Sequence, residues 1–406
     1  MNKIFEVEIG RPGSIGAMTA TSLSLPATPF VLADALAKAH ITDERIIYST
    51  EVLDSNCSYL PSLIAASANI YELNYLAKRL AALTEWELDC FEGLVEMDAA
   101  RGAESIPVDR LINFTYSLEN CQIAHEAHND ESLGEFYVDN DMADIPDNLP
   151  EAVYELLDYE VIGRKARMAE GGVFTERGYV VLNGDISLAY REGSAVPQEK
   201  PSHTIELEVC KGSFEDGDYD KSRSEFPLLP AEDSIINRVL VQLKAESPED
   251  CSYRAVDCIV PKLTELVSDS LYASDGDCYG LVNELAIQLK KLDESGKLSV
   301  YCAMMEAAPD DLTLEDAIDL TNQVEWFRLL PDVSSPSDYA KRQLNLYQIE
   351  CADTLFRNSN LYDYGQTLIK EKGLCLTEYG LLDTMSGQPV QEMLRCGGSD
   401  FSMEMR

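Results

Sequence analysis

His125 and His128 are the two neighbouring histidines among four in the chain, the others being His40 and His203. In His125-Glu126-Ala127-His128 the spacing departs from HExxH, where two ligands lie one helical turn apart around a glutamate, so a surface or turn role outweighs metal binding. Gly10, Gly13 and Gly16 follow a strand-like run, but no Gly-Lys-Ser/Thr follows and the spacing is not GxGxxG, which favours a hairpin connection over a phosphate cradle. No GxSxG elbow occurs, and none of the 11 cysteines sits in a CxxC pair, so neither an activated nucleophile, a zinc site nor a disulfide framework is visible. The Asp-rich loop Glu215 to Asp220 lacks the twelve-residue EF-hand spacing. Catalytic, metal and cofactor sites are therefore all expected to be absent, and a metal-dependent hydrolase is the weakest of the available readings.

Carboxylates are the residues in excess. The chain of 406 residues carries 72 Asp plus Glu against 32 Lys plus Arg, a formal charge of −40. Its 45% hydrophobic share is that of a folding chain, so the acids are laid over globular material. Such a surface repels phosphates and anionic lipid, which argues against direct nucleic acid or membrane binding. The largest basic cluster is Arg164, Lys165 and Arg167, too small for a phosphate track and better read as charge at a helix end. No bilayer-length apolar run and no secretory h-region at the N-terminus are present, so a cytoplasmic protein is expected. Trp86 and Trp326 read as core or interface residues.

The acids concentrate between Arg110 and Arg164, where 53 residues hold no Lys or Arg and thirteen acids. Twelve of these are candidate phosphate mimics: Glu126, Asp130, Glu131, Glu135, Asp139, Asp141, Asp144, Asp147, Glu151, Glu155, Asp158 and Glu160. Pro150 and Glu151 suit a helix start, Val153, Leu156 and Leu157 an apolar side, and Gly163 a stop. That helix would expose Glu151, Glu155 and Asp158 on one face, about 4.5 to 6 Å apart along the axis. An acidic stripe usually serves solubility, but forty net charges exceed what solubility needs and the surplus costs stability by self-repulsion.

The elements that must position these acids recur. Phe5-Glu6-Val7-Glu8-Ile9 matches Ile205-Glu206-Leu207-Glu208-Val209, both alternating as half-buried strands do. Leu23-Ser24-Leu25-Pro26 aligns with Pro227-Leu228-Leu229-Pro230, and the helical patterns Phe30 to Ala39 and Ile235 to Leu243 follow. Asn74, Leu76 and Ala77 align with Asn283, Leu285 and Ala286; Ile112 to Thr115 with Ile318 to Thr321; Leu118-Glu119 with Val324-Glu325; and Thr175 to Gly178 with Thr377 to Gly380. The shifts stay between 200 and 209, which points to internal duplication. Each half carries a net charge of −20. The expected fold is α+β, an elongated chain of small antiparallel sheets and helical bundles, internally duplicated. Its expected parts are a first unit at 1–190, a Gly/Ser/Pro linker at 191–202, a second unit at 203–396 and a tail at 397–406.

The runs YELNYLAKRLAAL (Tyr71 to Leu83), LINFTYSLENCQI (Leu111 to Ile123), ESLGEFYVD (Glu131 to Asp139) and LLDYEVIGRKARMAEGGVFTERGYV (Leu156 to Val180) resemble the ArdA family of antirestriction proteins. The resemblance covers about residues 1 to 183. It implies an elongated, acidic mimic of B-form DNA, encoded on a mobile element, that occupies the DNA groove of a type I restriction-modification enzyme. The second half resembles the family more weakly. It has Lys341, Arg342 and Arg357 where the first half is free of bases, and its acids lie at Glu215, Asp216, Asp218, Asp220, Asp310, Asp311, Glu315, Asp316 and Asp319. An alternative is an acidic scaffold or regulator that binds another basic DNA-binding protein.

Family members pair, so the halves are expected either to form a pseudo-dimer within one chain or to belong to a homodimer. Light scattering should find the 406-residue chain monomeric if the halves pair internally; a stable dimer with the halves of each chain far apart would reject the internal version.

Overall fold

The computed structural model describes residues 2–12, 20–41, 46–102, 104–146, 150, 156–191, 201–214, 223–273, 278–347 and 352–395. Among these the architecture is α+β, with helices surrounding several three-stranded sheets. No helix of the described residues is long and apolar enough to cross a membrane.

The N-terminal sheet has the order β2-β1-β3, with β1 Phe5–Gly10, β2 Thr21–Leu25 and β3 Ser49–Ser55. In β1 the alternation expected from sequence puts Phe5, Val7 and Ile9 in the core. Gly13 and Gly16 of the expected hairpin lie outside the described residues. Helices α1 Pro29–Lys38, α2 Ile70–Ala81, α3 Glu85–Ala99 and α4 Val108–Phe114 follow. A capping box of Thr84 and Glu87 starts α3. A second sheet, of order β4-β6-β5, joins β4 Cys121–Ala124, β5 Val173–Thr175 and β6 Gly178–Leu182 antiparallel. Between β4 and β5 the chain forms α5 Asp130–Asp139 and α6 Tyr159–Glu170.

A similar order of elements follows in the second half, with three more helices among the described residues. Strands β7 Ile205–Lys211, β8 Leu228–Leu229 and β9 Cys251–Cys258 make an antiparallel sheet β8-β7-β9, with α7 Asp233–Leu243 after β8. Helices α8 Leu263–Ala273, α9 Cys278–Glu294, α10 Leu298–Ala307 and α11 Leu314–Gln323 lead to β10 Phe327–Leu330. Then come α12 Pro336–Asn345, α13 Ala352–Arg357, α14 Leu361–Glu371, β11 Cys375–Thr377, β12 Gly380–Thr384 and α15 Val390–Arg395. The closing sheet has order β10-β12-β11.

Shared side-chain devices go with the shared order. The Asn74 amide, nearly fully buried, accepts from Ala27 N (2.7 Å) and donates to Ala27 O (3.1 Å). Asn283 does the same to Ala231, at 2.9 and 3.0 Å. Both alanines follow a cis X-Pro bond, Leu25-Pro26 and Leu229-Pro230. In each closing hairpin a threonine hydroxyl donates to a glycine carbonyl, Thr175 to Gly178 (3.1 Å) and Thr377 to Gly380 (2.7 Å). These glycines take φ of 135° and 127°, a region closed to most side chains.

Contacts divide the chain into two compact units: Met1–Glu8, Ser22–Ala27 and Ser49–Gln198; and Ile9–Thr21, Thr28–Tyr48 and Glu199–Arg406. The second unit thus includes α1, which precedes most of the first unit in the chain. There Thr28 donates to Asp257 (3.0 Å), the Tyr379 hydroxyl bonds Asp34, and Lys38 bridges Asp34 and Glu378, both at 3.1 Å. Burial pushes the Asp257 carboxyl up to about 6 against the bonds it accepts from Thr28 and Cys258 N. The core of this unit runs from Ile205, Leu207 and Val209 through Leu285, Tyr301 and Met304 to Leu382, and Trp326 packs half-buried against it. Trp86, expected in a core or interface, stands 43% exposed at the start of α3. The segment 192–200 within the expected linker, the expected tail 397–406 and the Asp-rich loop lie outside the described residues.

The helix expected from Pro150 with a stop at Gly163 is not the one observed. Asp158 caps α6, its side chain accepting from Val161 N (3.1 Å), and Gly163 lies inside that helix. The reason is packing. A Cβ on Gly163 would stand 1.9 Å from Asp130 O, and one on Gly134 would stand 1.9 Å from Tyr159 O, so each helix presents a bare glycine to the first turn of the other. In α12 and α14 the pattern recurs once, at Gly365, whose Cβ would lie 1.8 Å from Pro336 O. Alanine normally stabilises a helix interior by about 0.5–1 kcal/mol over glycine. Here Gly163→Ala and Gly365→Ala should each lower stability, by about 1–3 kcal/mol from overpacking. Urea unfolding midpoints check this, and an unchanged or raised midpoint would reject the close crossing.

Candidate acidic interface

Helix α5 of the base-free stretch pairs with α6, which begins at its end, and the described carboxylates divide into ion-paired and unpaired ones. Asn129 starts α5 with a reciprocal cap, accepting from Ser132 N (2.9 Å). Asp130, in the first turn, takes a two-pronged bond from Arg167, Nε to Oδ1 at 2.7 Å and Nη2 to Oδ2 at 3.0 Å. Arg164 Nε stands 3.6 Å from the same carboxylate. The Arg167 bond holds the Asp130 carboxyl below the usual range. Arg164 also pairs with Glu160 one turn earlier. At the far end of the pair, Glu170 accepts from Tyr137 and from Tyr179, the latter at 3.0 Å. Arg164 and Arg167 of the basic cluster therefore fasten α6 to α5.

Glu131, Glu135 and Asp139 remain on the exposed side of α5. They recur every four residues, about 6 Å along the axis, and so form one row. Among the described residues none of the three has an ion-pair partner. Glu126, Asp141 and Asp144 are exposed in the flanking turns. Of the remaining candidates, Asp158 is an exposed cap, and Asp147, Glu151 and Glu155 lie outside the described residues. The structure thus brings Glu131, Glu135 and Asp139 together, and spends Asp130, and Glu160 in part, on ion pairs. His125 Nδ1 lies 3.0 Å from Arg177 O, and His128 N donates to Ser132 Oγ (2.9 Å), so both histidines are built into turns. Among the described residues no group of three His, Cys, Asp or Glu is placed to hold a metal ion.

Sequence reasoning passed over a second row. Glu85, Asp89, Glu92 and Glu96 follow a 4-3-4 spacing that lines one stripe of α3. The spacing is legible in the sequence, but the row lies outside the base-free run. Helix α3 packs on β5 and β6, where a Cβ on Gly93 would meet Val180 at 2.4 Å. Arg177 lies 3.8 Å from Asp89. The Glu92 carboxyl is pushed above the usual range by burial first, then by Glu176, Asp89 and Glu96, with Arg177 opposing.

The α5 row is exposed, whereas in the α3 row Glu85 is exposed and Asp89, Glu92 and Glu96 are half-buried. Residues 15–181 match the antirestriction protein family ArdA. The ArdA match is 167 residues long, less than half of the 406, and runs through β6. It contains both acidic rows and the α5–α6 pair. No curated protein matches the chain.

Glu92 gives this surface a signature in pH. Its pKa in the fold lies above that of the unfolded chain, so ionising it costs stability as pH rises past the unfolded value, and the cost is absent in acid. Glu92→Gln should therefore raise Tm at pH 7, by about 1 °C or more, with the gain vanishing near pH 4. Differential scanning calorimetry at the two pH values decides it, and a lower Tm at pH 7 would contradict the crowding.

Proposed function

We propose that this protein is an antirestriction protein, not an enzyme, that acts in the cytoplasm as an acidic DNA mimic and occupies the DNA groove of a type I restriction-modification enzyme. The observation that carries the proposal is the row Glu131, Glu135 and Asp139, exposed on α5 while neighbouring Asp130 is locked by Arg167. Duplex DNA carries one charge per about 1.7 Å over both strands. A single row at about 6 Å is sparser, and the α3 stripe in the same unit adds charge. The ArdA match over 15–181 supports the antirestriction reading. We read the halves 1–190 and 203–396 as copies of one unit, a view supported by the shared element order and by the Asn74/Asn283 and Thr175/Thr377 devices.

Association of this kind should be fast and salt-sensitive. Cleavage of unmodified DNA by a purified type I enzyme should stop at stoichiometric amounts of the chain, and protection should fade as salt rises. The triple variant Glu131→Gln, Glu135→Gln, Asp139→Asn should need about tenfold more protein for equal protection, as expected when three counterion-releasing contacts are lost. Full potency in the variant, or protection indifferent to salt, would defeat electrostatic mimicry; no protection by the natural chain would defeat the antirestriction reading itself.

A further inference from the structure

We propose that the second compact unit binds a phosphate-bearing anion, inorganic phosphate or a phosphomonoester, in a basic cavity between α12, the turn that follows α14 and the closing sheet. The inference is independent of the proposed mimicry. The cavity, of about 300 Å³, is lined by Arg328 of β10, Tyr339, Arg342 and Gln343 of α12, Lys372 after α14, and Asp383 of β12. Three cations therefore meet one carboxylate in a chain of net charge −40.

Arg328 already pairs with Asp383, its neighbour across the β10–β12 register. Among the described residues Lys372 Nζ donates only to neutral groups, the Tyr339 hydroxyl at 3.1 Å and Gln343 Oε1 at 3.3 Å. Arg342 is exposed and has no ion-pair partner among the described residues. Two positive charges are left uncompensated, the complement of a phosphomonoester dianion, and Arg forks suit its oxygens better than a single carboxylate would. Leu330 and Leu374 supply apolar wall for whatever carries the phosphate. At the low end of ligand-site volumes, the space admits a small molecule and not a nucleic acid strand.

The corresponding corner of the first unit shows that the scaffold does not require these cations. By register, Gln122 and Val181 stand where Arg328 and Asp383 pair. Phe136 stands in place of Arg342, and Glu170, held by Tyr137 and Tyr179, in place of Lys372. Both Glu170 and Lys372 precede a left-handed glycine, Gly171 (φ 71°) and Gly373 (φ 64°). The same position on the frame thus changes from anion to cation. Over more than about 8–10 Å the repulsion of the acidic surface is screened at physiological salt, which leaves the local cations in control.

Isothermal titration of the full chain with inorganic phosphate, and in parallel with adenosine monophosphate, tests the proposal. One saturable site is expected, with affinity lowered about tenfold or more by Arg342→Ala and by Lys372→Ala, as for loss of a charge-assisted bond, and retained in Lys372→Arg. Tighter binding of the nucleotide than of phosphate would mean that the carried group is recognised; equal binding would mean the phosphate alone is. Arg342 and Lys372 are exposed, so melting temperature should not move, and Glu135→Gln in the first unit should leave binding intact. No saturable heat with either probe, or binding unaffected by both alanine variants, would overturn the site.

Discussion

Forty surplus negative charges repel one another, and the chain can fold only if its few cations are placed where they hold most structure together. Arg167 and Arg164 meet at Asp130 and join α6 to α5. Arg101 and Arg110 both reach Asp98, which is buried at the end of α3, and Arg110 thereby fixes α4 to it. Arg254 holds the buried Glu208 across β7 and β9. Asp98 and Glu208 are acids that the fold has removed from solvent, and Asp130 is partly covered. An ion pair of this sort is worth more to the fold than an exposed one, because breaking it strands a desolvated charge. The carboxylates on the outer faces, Glu131, Glu135 and Asp139 among them, are left unmatched as a result. The acidic surface and the stability of the scaffold are thus two sides of one distribution of charge.

Glycine completes the bracing. Close approach of α5 to α6 needs Gly134 and Gly163, since a methyl group at either would overlap a carbonyl oxygen of the partner helix. That approach puts Arg167 in reach of both Asp130 oxygens and turns the outer face of α5 outward as a rigid row. In the second unit Gly365 allows a similar close approach of α14 to α12, where Pro336 stands at the crossing and Lys372 follows α14. The two helix pairs thus share a close glycine crossing and differ in charge. The frame depends on small residues and backbone geometry, while the charge depends on a handful of side chains that can change without disturbing it.

Much of this was legible in the sequence, for physical reasons that can be named. Alternation in Phe5 to Ile9 and in Ile205 to Val209 marks strands because period two separates a buried face from a wet one. The Thr175 and Thr377 blocks are legible as a recurring pattern, and the structure gives the reason for their glycines in the positive φ of Gly178 and Gly380. Gly163 is an ordinary stop signal in the sequence yet lies inside α6, because nothing local says that a partner helix needs the space its side chain would fill. Similarly, Asp130 and Glu135 are indistinguishable in a list of acids. Thirty-seven residues separate Asp130 from the arginine that neutralises it.

The sequence by itself determined the α+β class, the recurring blocks, the absence of familiar catalytic motifs and the excess of acid, because composition, periodicity and turn chemistry are local properties. Tertiary structure alone decided which carboxylates are bound to arginine and which face solvent, that Thr28 to Tyr48 belong with the second compact unit, and that Arg328, Arg342 and Lys372 line one cavity. Those facts depend on contacts between residues tens or hundreds of positions apart, and Coulomb energy follows distance and burial in space, not order along the chain.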